Sequence, residues 1–230
     1  MQNLCVIIPF YNEKTFLEAS LARILDNDIF DQIILSDDNS DDGSEIIAIN
    51  FVNKFEKAIY IKSEYNLGKG NALNLAKPYI ITTHIVIHDA DLEYFPEDIV
   101  EMFQISKNFP NHLVLGSRFT GSKNRKNLYL RTYIANKVMS LFFSLINFYY
   151  VSDVASCYKL MPVTFFKNID VKEKGFSVEI ELLSKYLKVN RKIKEVPIKY
   201  EGRSYSEGKK IKTIDGFKYL LNTLKYRVIN

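Results

Sequence analysis

Apolar positions in the first half of the chain switch repeatedly between two periods. NLCVIIP (residues 3–9), DQIILSDD (31–38), KAIYIKS (57–63), THIVIHDAD (83–91) and HLVLGSRF (112–119) are short runs rich in Val, Ile and Leu, the pattern of buried strands. Between the first two, KTFLEASLARIL places Phe16, Leu17, Ala19, Leu21, Ile24 and Leu25 at helical spacing. DDGSEIIAINFVNKF, GKGNALNLA and PEDIVEMFQISK predict three further helices, the last with Pro96 at its start and acids in its first turn. Strands alternating with helices over short connections predict an α/β fold, a mostly parallel sheet with helices on both faces. Ligands of such sheets bind beyond the carboxyl ends of the strands, which places PFYNE, SDDNS, HDAD and GSRF on one rim.

The second half is less regular. A long helix is expected from about residue 128 to 150, then a mixed stretch, then an amphipathic helix near 213–228. In TYIANKVMSLFFSLINFYYV, Asn136, Ser140, Ser144 and Asn147 form one narrow polar stripe on an otherwise apolar helix. Two readings stay open: a buried helix, or an interfacial one with its apolar face in lipid and Lys123, Arg125, Lys126 and Arg131 at the headgroups. No linker, low-complexity tract or repeat divides the 230 residues, so one domain is expected.

Composition changes the picture in two places. Cys5 and Cys157 have no metal-ligand spacing and are expected as reduced thiols of a cytosolic protein. MQNLCVIIPF lacks a basic leader region, and no run of 18 apolar residues exists, so neither a signal peptide nor a membrane span is expected. The net charge of +4 conceals an asymmetry: residues 1–101 carry 18 acids and 7 bases, residues 102–152 carry 7 bases and no acid, and residues 153–230 carry 17 bases and 9 acids. An acid-free run of that length suits an anionic partner such as phosphate groups or a lipid surface. The basic runs match no nucleic-acid-binding module, so nucleic acid is not expected as a partner.

The candidate chemistry gathers at HDADLE. Asp89 and Asp91, at i and i+2 off a strand, repel each other unless one is protonated or a cation lies between them. Mg²⁺ in particular takes one or two carboxylates together with substrate phosphates. Glu93 continues the same parity and is a candidate third ligand or supporting partner. The alternative for all three is punctuation of a strand–helix junction. Asp37-Asp38 ends a second strand on the same rim, suited to a base or ribose hydroxyl, or to a turn and helix cap. Asn66-Leu67-Gly68-Lys69-Gly70 lacks the spacing of nucleoside-triphosphatase and dinucleotide loops, yet its glycines allow close approach to backbone N–H groups.

VIIPFYNE, ILSDDNSDDGS, NLGKGNALNLA, HDADLEYFPEDI, GSRF, SDVASCYKL, GFSVEIELL and EVPIKYEGRSYSEGKKI occur in that order. Together they resemble family 2 glycosyltransferases of the dolichyl-phosphate mannose/glucose synthase-like group, over essentially the whole chain. The resemblance implies a GT-A (Rossmann-like) fold with C-terminal amphipathic helices. It divides the chain into a nucleotide-sugar-binding half (1–120) and an acceptor- and membrane-facing half (121–230). It also implies inverting transfer from a UDP- or GDP-sugar to polyprenyl phosphate, or to a growing glycan. A non-catalytic nucleotide-sugar-binding subunit is the rival from another class. Pro9, Tyr11 and Glu13 match the family's first nucleotide-contacting strand end, Asp38 the nucleoside-recognising acid, and Lys69 the lysine of its G-K-G segment. Asp89 and Asp91, with Glu93, match the positions that handle the diphosphate and a divalent metal, Mg²⁺ or Mn²⁺. Arg118, Arg131, Arg203 and Lys209 match basic positions facing phosphates or acceptor, and Asp91, Arg118 and Arg203 are expected to act in catalysis. A lipid phosphate needs no general base, whereas a sugar hydroxyl does, with Asp153, Glu179 and Glu181 as candidates. The implied location is cytoplasmic and peripheral, on an anionic membrane surface, and a homo-oligomer is compatible with it.

Overall fold

The computed structural model describes residues 2–126, 129–175, 177–203 and 213–228. The predicted alternation is present: β1 (Leu4–Phe10), α1 (Lys14–Leu25), β2 (Gln32–Asp37), α2 (Ser44–Val52), β3 (Ala58–Lys62), α3 (Lys69–Ala76), β4 (His84–Ile87), α4 (Glu97–Asn108) and β5 (Leu113–Ser117). The second half adds β6 (Arg125–Lys126), α5 (Leu130–Asn147), β7 (Lys159–Pro162), α6 (Val163–Asn168), α7 (Val178–Val189), β8 (Ile193–Pro197), β9 (Tyr200–Glu201) and α8 (Thr213–Val228).

One sheet runs β3-β2-β1-β4-β7-β5-β8, and β6 pairs with β9 in a second, small one. All pairings are parallel except those of β7, which is inserted antiparallel between β4 and β5. Every residue of β1, β2, β4 and β5 is buried, so both faces of the sheet are covered, as near-continuous apolar strands require. The chain leaves β1 toward β2 and β3 on one side and returns to β4 on the other. The resulting topological switch lies between β1 and β4, where a crevice opens.

The rim beyond β1, β2 and β4 is built from sharp reversals. Asn12, Asn39 and Leu92 each adopt positive φ, at 52°, 68° and 64°. Asn tolerates this region through local hydrogen bonding, whereas Leu pays about 1–2 kcal/mol for it. Glycine is required at the start of α3 by close packing. A Cβ on Gly68 (φ +94°) would overlap the Lys174 carbonyl oxygen, and one on Gly70 would overlap that of Glu173. Gly70→Ala is therefore expected to push residues 171–174 away from α3 and destabilise the protein by about 1–3 kcal/mol. A melting curve superimposable on that of the wild type would contradict the contact.

α5 is turned opposite to an ordinary amphipathic helix. Its polar stripe, Asn136, Ser140, Ser144 and Asn147, is buried. Ser140 and Ser144 accept hydrogen bonds from the backbone N–H groups of Val154 (3.1 Å) and Val151 (3.0 Å). Its apolar stripe faces outward: Ile134, Val138, Leu141 and Leu145 are 51–63% exposed and Phe148, just beyond, 79%. α8 packs against α5 and α7 and leaves Leu221, Leu224 and Val228 exposed. Of the aromatic residues on and beside α5, Phe143 is buried, and Tyr149 donates to and accepts from Ile193, so neither belongs to the outward stripe. No helix among the described residues is long and apolar enough to cross a membrane.

Candidate active site

A cleft of about 250 Å³ opens at the switch between β1 and β4. Eight of the residues singled out in the sequence line it: Pro9, Tyr11 and Glu13 from the end of β1, Asp38 beyond β2, Lys69 at the start of α3, Asp89 and Asp91 beyond β4, and Arg203. Reciprocal contacts stitch the loops that carry them together. Asn12 donates to Asp41 (2.8 Å) and accepts from its N–H (3.0 Å), while Glu13 N–H donates to Ser44 and Lys14 N–H to Asp42. The two neighbouring acids divide their work. Asp37 accepts from Ser40 and Tyr60, holding the turn, and Asp38 accepts from the N–H groups of Leu67 and Gly68 at the cleft wall.

β4 ends at Ile87, so Asp89 and Asp91 sit in a turn rather than on extended strand, and the left-handed Leu92 reverses the chain after them. Both still line the cleft, and each meets a cation of the chain. Lys69 Nζ lies 2.7 Å from Asp89, 2.8 Å from Glu179 and 3.8 Å from Cys157 Sγ. Burial opposes the Lys69 charge, but Asp89, Cys157 and Glu179 outweigh it and hold the ammonium well above the usual lysine range. Burial likewise pushes Asp89 up, and Lys69 overrides it to leave the carboxyl below its ordinary value. Asp91 fares differently: burial first, then the charges of Glu93 and Asp89, raise its carboxyl to about 7 against the opposing Arg203. The Arg203 guanidinium lies 3.0 Å from Asp91, 3.7 Å from Glu13 and 3.9 Å from Glu93.

Glu93 does not gather with the pair as a third ligand. One of its oxygens accepts from Tyr200 OH and the other from Arg203 N–H, both at 2.8 Å. Among the described residues no group of three His, Cys, Asp or Glu side chains forms a metal-holding cluster. Two hard carboxylates, one driven up by burial and by neighbouring like charge, fit a divalent cation shared with a substrate diphosphate rather than an all-protein cage. His88 is not available to such an ion: its ring nitrogens meet Ser20 Oγ (3.1 Å) and Tyr158 OH (2.9 Å), and burial lowers its pKa to about 4.

Of the remaining basic positions, Arg118 and Arg131 are not brought to the cleft. Arg118 is buried and bound to Asp153 through Nε and a terminal nitrogen at 2.8 Å each, with its backbone N–H on the same carboxylate. Its expected place facing phosphate is therefore revised, because the guanidinium is committed to a carboxylate with no exposure of its own. Arg131 lies exposed in the first turn of α5. Lys209 lies outside the described residues. The three candidate bases are also committed: Asp153 to Arg118, Glu179 between Lys69 and Lys159, and Glu181 to Lys185 and the N–H groups of Lys172 and Glu173. Lys159 was missed in the sequence. A single lysine in an apolar KLMP strand is the signal that could have found it, since a cation there requires a buried partner.

With this fold and cleft in view, the chain belongs to glycosyl transferase family 2, whose profile matches residues 5–169. It has the GT-A fold and is a nucleotide-sugar-dependent glycosyltransferase. Over 97% of this chain and 95% of the relative, it is 30% identical to the UDP-N-acetylglucosamine–dolichyl-phosphate N-acetylglucosaminyltransferase of Methanococcus voltae. It is 28% identical to the dolichol-phosphate mannosyltransferase of Pyrococcus furiosus over 94% of this chain and 61% of that protein. In fold it resembles glucosyl-3-phosphoglycerate synthase from Mycobacterium tuberculosis, solved with Mn²⁺, UDP and glucosyl-3-phosphoglycerate, at TM-score 0.74 and 18% identity over 98% of this chain and 80% of that one.

Proposed function

We propose that the enzyme transfers a sugar, with inversion at the anomeric carbon, from a UDP- or GDP-sugar to polyprenyl phosphate at the cytoplasmic face of a membrane. The observation that carries the lipid acceptor is α5, with its polar stripe inward and its apolar stripe outward. Burying the exposed part of four or five such side chains in lipid, at about 1–2 kcal/mol each, is enough to hold the protein reversibly. The names of both sequence relatives carry dolichol or dolichyl phosphate, which supports the same acceptor class. The whole chain acts as one domain in this reading, since β7 and β8 of the second half complete the sheet begun by the first.

Pro9, Tyr11 and Asp38 receive the nucleoside, and Lys69 and Arg203 flank the diphosphate. Their positive charges oppose the negative charge that grows on the leaving diphosphate. Asp89 and Asp91 hold Mg²⁺ or Mn²⁺, which when bound acts as a Lewis acid on that leaving group. A lipid phosphate, already ionised at neutral pH, attacks without a general base, and the commitment of Asp153, Glu179 and Glu181 to ion pairs agrees with this.

Wild-type protein is expected to co-sediment with anionic vesicles at low salt. Arg131 contributes about 1 kcal/mol, less as salt screens it, and Lys126 contributes less than that because Glu201 lies 3.6 Å from it. Lys123 contributes less, because Asp98 and Glu101 already hold it. Leu141→Asp with Leu145→Asp replaces two exposed residues, so it should leave the fold unchanged and reduce vesicle binding at least tenfold. Wild-type protein that ignores anionic vesicles and instead forms a dimer broken by the same pair of changes would make α5 a subunit interface and the acceptor a soluble glycan.

A further inference from the structure

Both carboxylates of the D-x-D pair already hold a cation belonging to the chain, and the two cations are not held alike. Lys69 is fixed from behind: Glu179 grips it at 2.8 Å and is itself anchored by the fully buried Lys159. Arg203 lies within the cleft, over the Phe16 ring at 5.3 Å, among Asp91, Glu13 and Glu93. Among the described residues its Nε is buried without a hydrogen-bond partner, since Glu93 at 3.9 Å is beyond reach. A guanidinium with one buried donor unmet is not at the site that suits it best.

We propose that Arg203 is the built-in counter-ion of the cleft, competing with a divalent cation for Asp91 in the free protein and moving to the donor's diphosphate when donor and metal bind together. The proposal rests on the metal-and-donor reading above. Two positive species cannot share one carboxylate at contact distance without repulsion, so metal entry at Asp91 displaces the guanidinium. A diphosphate offers it paired, charge-assisted acceptors that Asp91, Glu13 and Glu93 supply only singly and at 3.0–3.9 Å. The exchange couples the two ligands: whatever the donor adds to metal affinity, metal adds to donor affinity.

The test titrates Mn²⁺ alone, without nucleotide or acceptor, following the electron paramagnetic resonance signal of the free ion. The wild type is compared with Arg203→Gln, Asp91→Asn and the double variant. Arg203→Gln is expected to bind Mn²⁺ about tenfold more tightly than the wild type, within the usual range of coupling between sites. Asp91→Asn should bind it more weakly, and adding Arg203→Gln to Asp91→Asn should restore nothing. If Arg203→Gln does not fold, Arg203→Lys should shift affinity in the same direction by less. Mn²⁺ affinity in the Arg203 variants equal to or below that of the wild type would overturn the exchange while leaving the metal site standing. Binding to none of the proteins, even with UDP or GDP added, would overturn the metal reading and the exchange with it.

Discussion

Asp91→Asn is expected to lower sugar transfer roughly a thousandfold while leaving the melting temperature close to that of the wild type. The rate loss follows from removing one of two carboxylates that hold the Lewis acid, worth several kcal/mol of barrier. Stability behaves differently because Asp91 is crowded by like charge. Burial, Glu93 and Asp89 all disfavour its ionised form, and Arg203 opposes them. The amide removes the repulsion together with the ion pair, and Arg203 keeps Glu13 and Glu93. Turnover and thermal unfolding measured on the same preparation separate the two effects. Near-normal turnover in the variant would contradict the place given to the carboxylate pair.

The second large effect is expected at Arg118, and in the opposite quantity. Arg118→Met leaves Asp153 without its cation at a position with no solvent exposure. Breaking a buried pair in this way costs about 3–5 kcal/mol. For a chain of 230 residues this corresponds to a fall in melting temperature of roughly 6–20 °C. Arg118→Met with Asp153→Leu should recover much of the loss, because a well-packed apolar pair can replace a buried ionic one. An unchanged melting temperature with abolished turnover would instead return Arg118 to the cleft.

The fold was legible where period and punctuation agree. Every strand from β1 to β5 is a short β-rich run, and each helix between them carries its spacing or its cap in the sequence. β7 was not legible: four residues ending in Pro162 carry no period, and their antiparallel insertion is set by β4 and β5, which lie far away in sequence. α5 shows the limit of pattern most clearly. Its polar stripe was visible, but periodicity says which residues share a face and not which face meets the core. Here backbone N–H groups of Val151 and Val154 required hydroxyl partners, and they drew the polar side inward.

The site divides in the same way. Residues at strand ends, from Pro9 to Asp91, converge because the sheet places them on one rim. Pairings across long separations were not readable. Glu179 reaches Lys69 from 110 residues away and Arg203 reaches Asp91 from 112. Gly68 lines the cleft, but the carbonyls of Glu173 and Lys174 that forbid a side chain at 70 and 68 come from a distant segment and could not be read from the glycines themselves.

The most direct test of the central claim is a transfer assay with radiolabelled UDP- and GDP-sugars and a defined polyprenyl phosphate in detergent or vesicles. Label in the organic phase is counted for the wild type and for Asp91→Asn. The account predicts a labelled polyprenyl-phosphate sugar from one nucleotide sugar of the panel, formed by the wild type and reduced roughly a thousandfold in the variant. Label that stays in water with every donor, while a glycan acceptor is extended by the same protein, would contradict it.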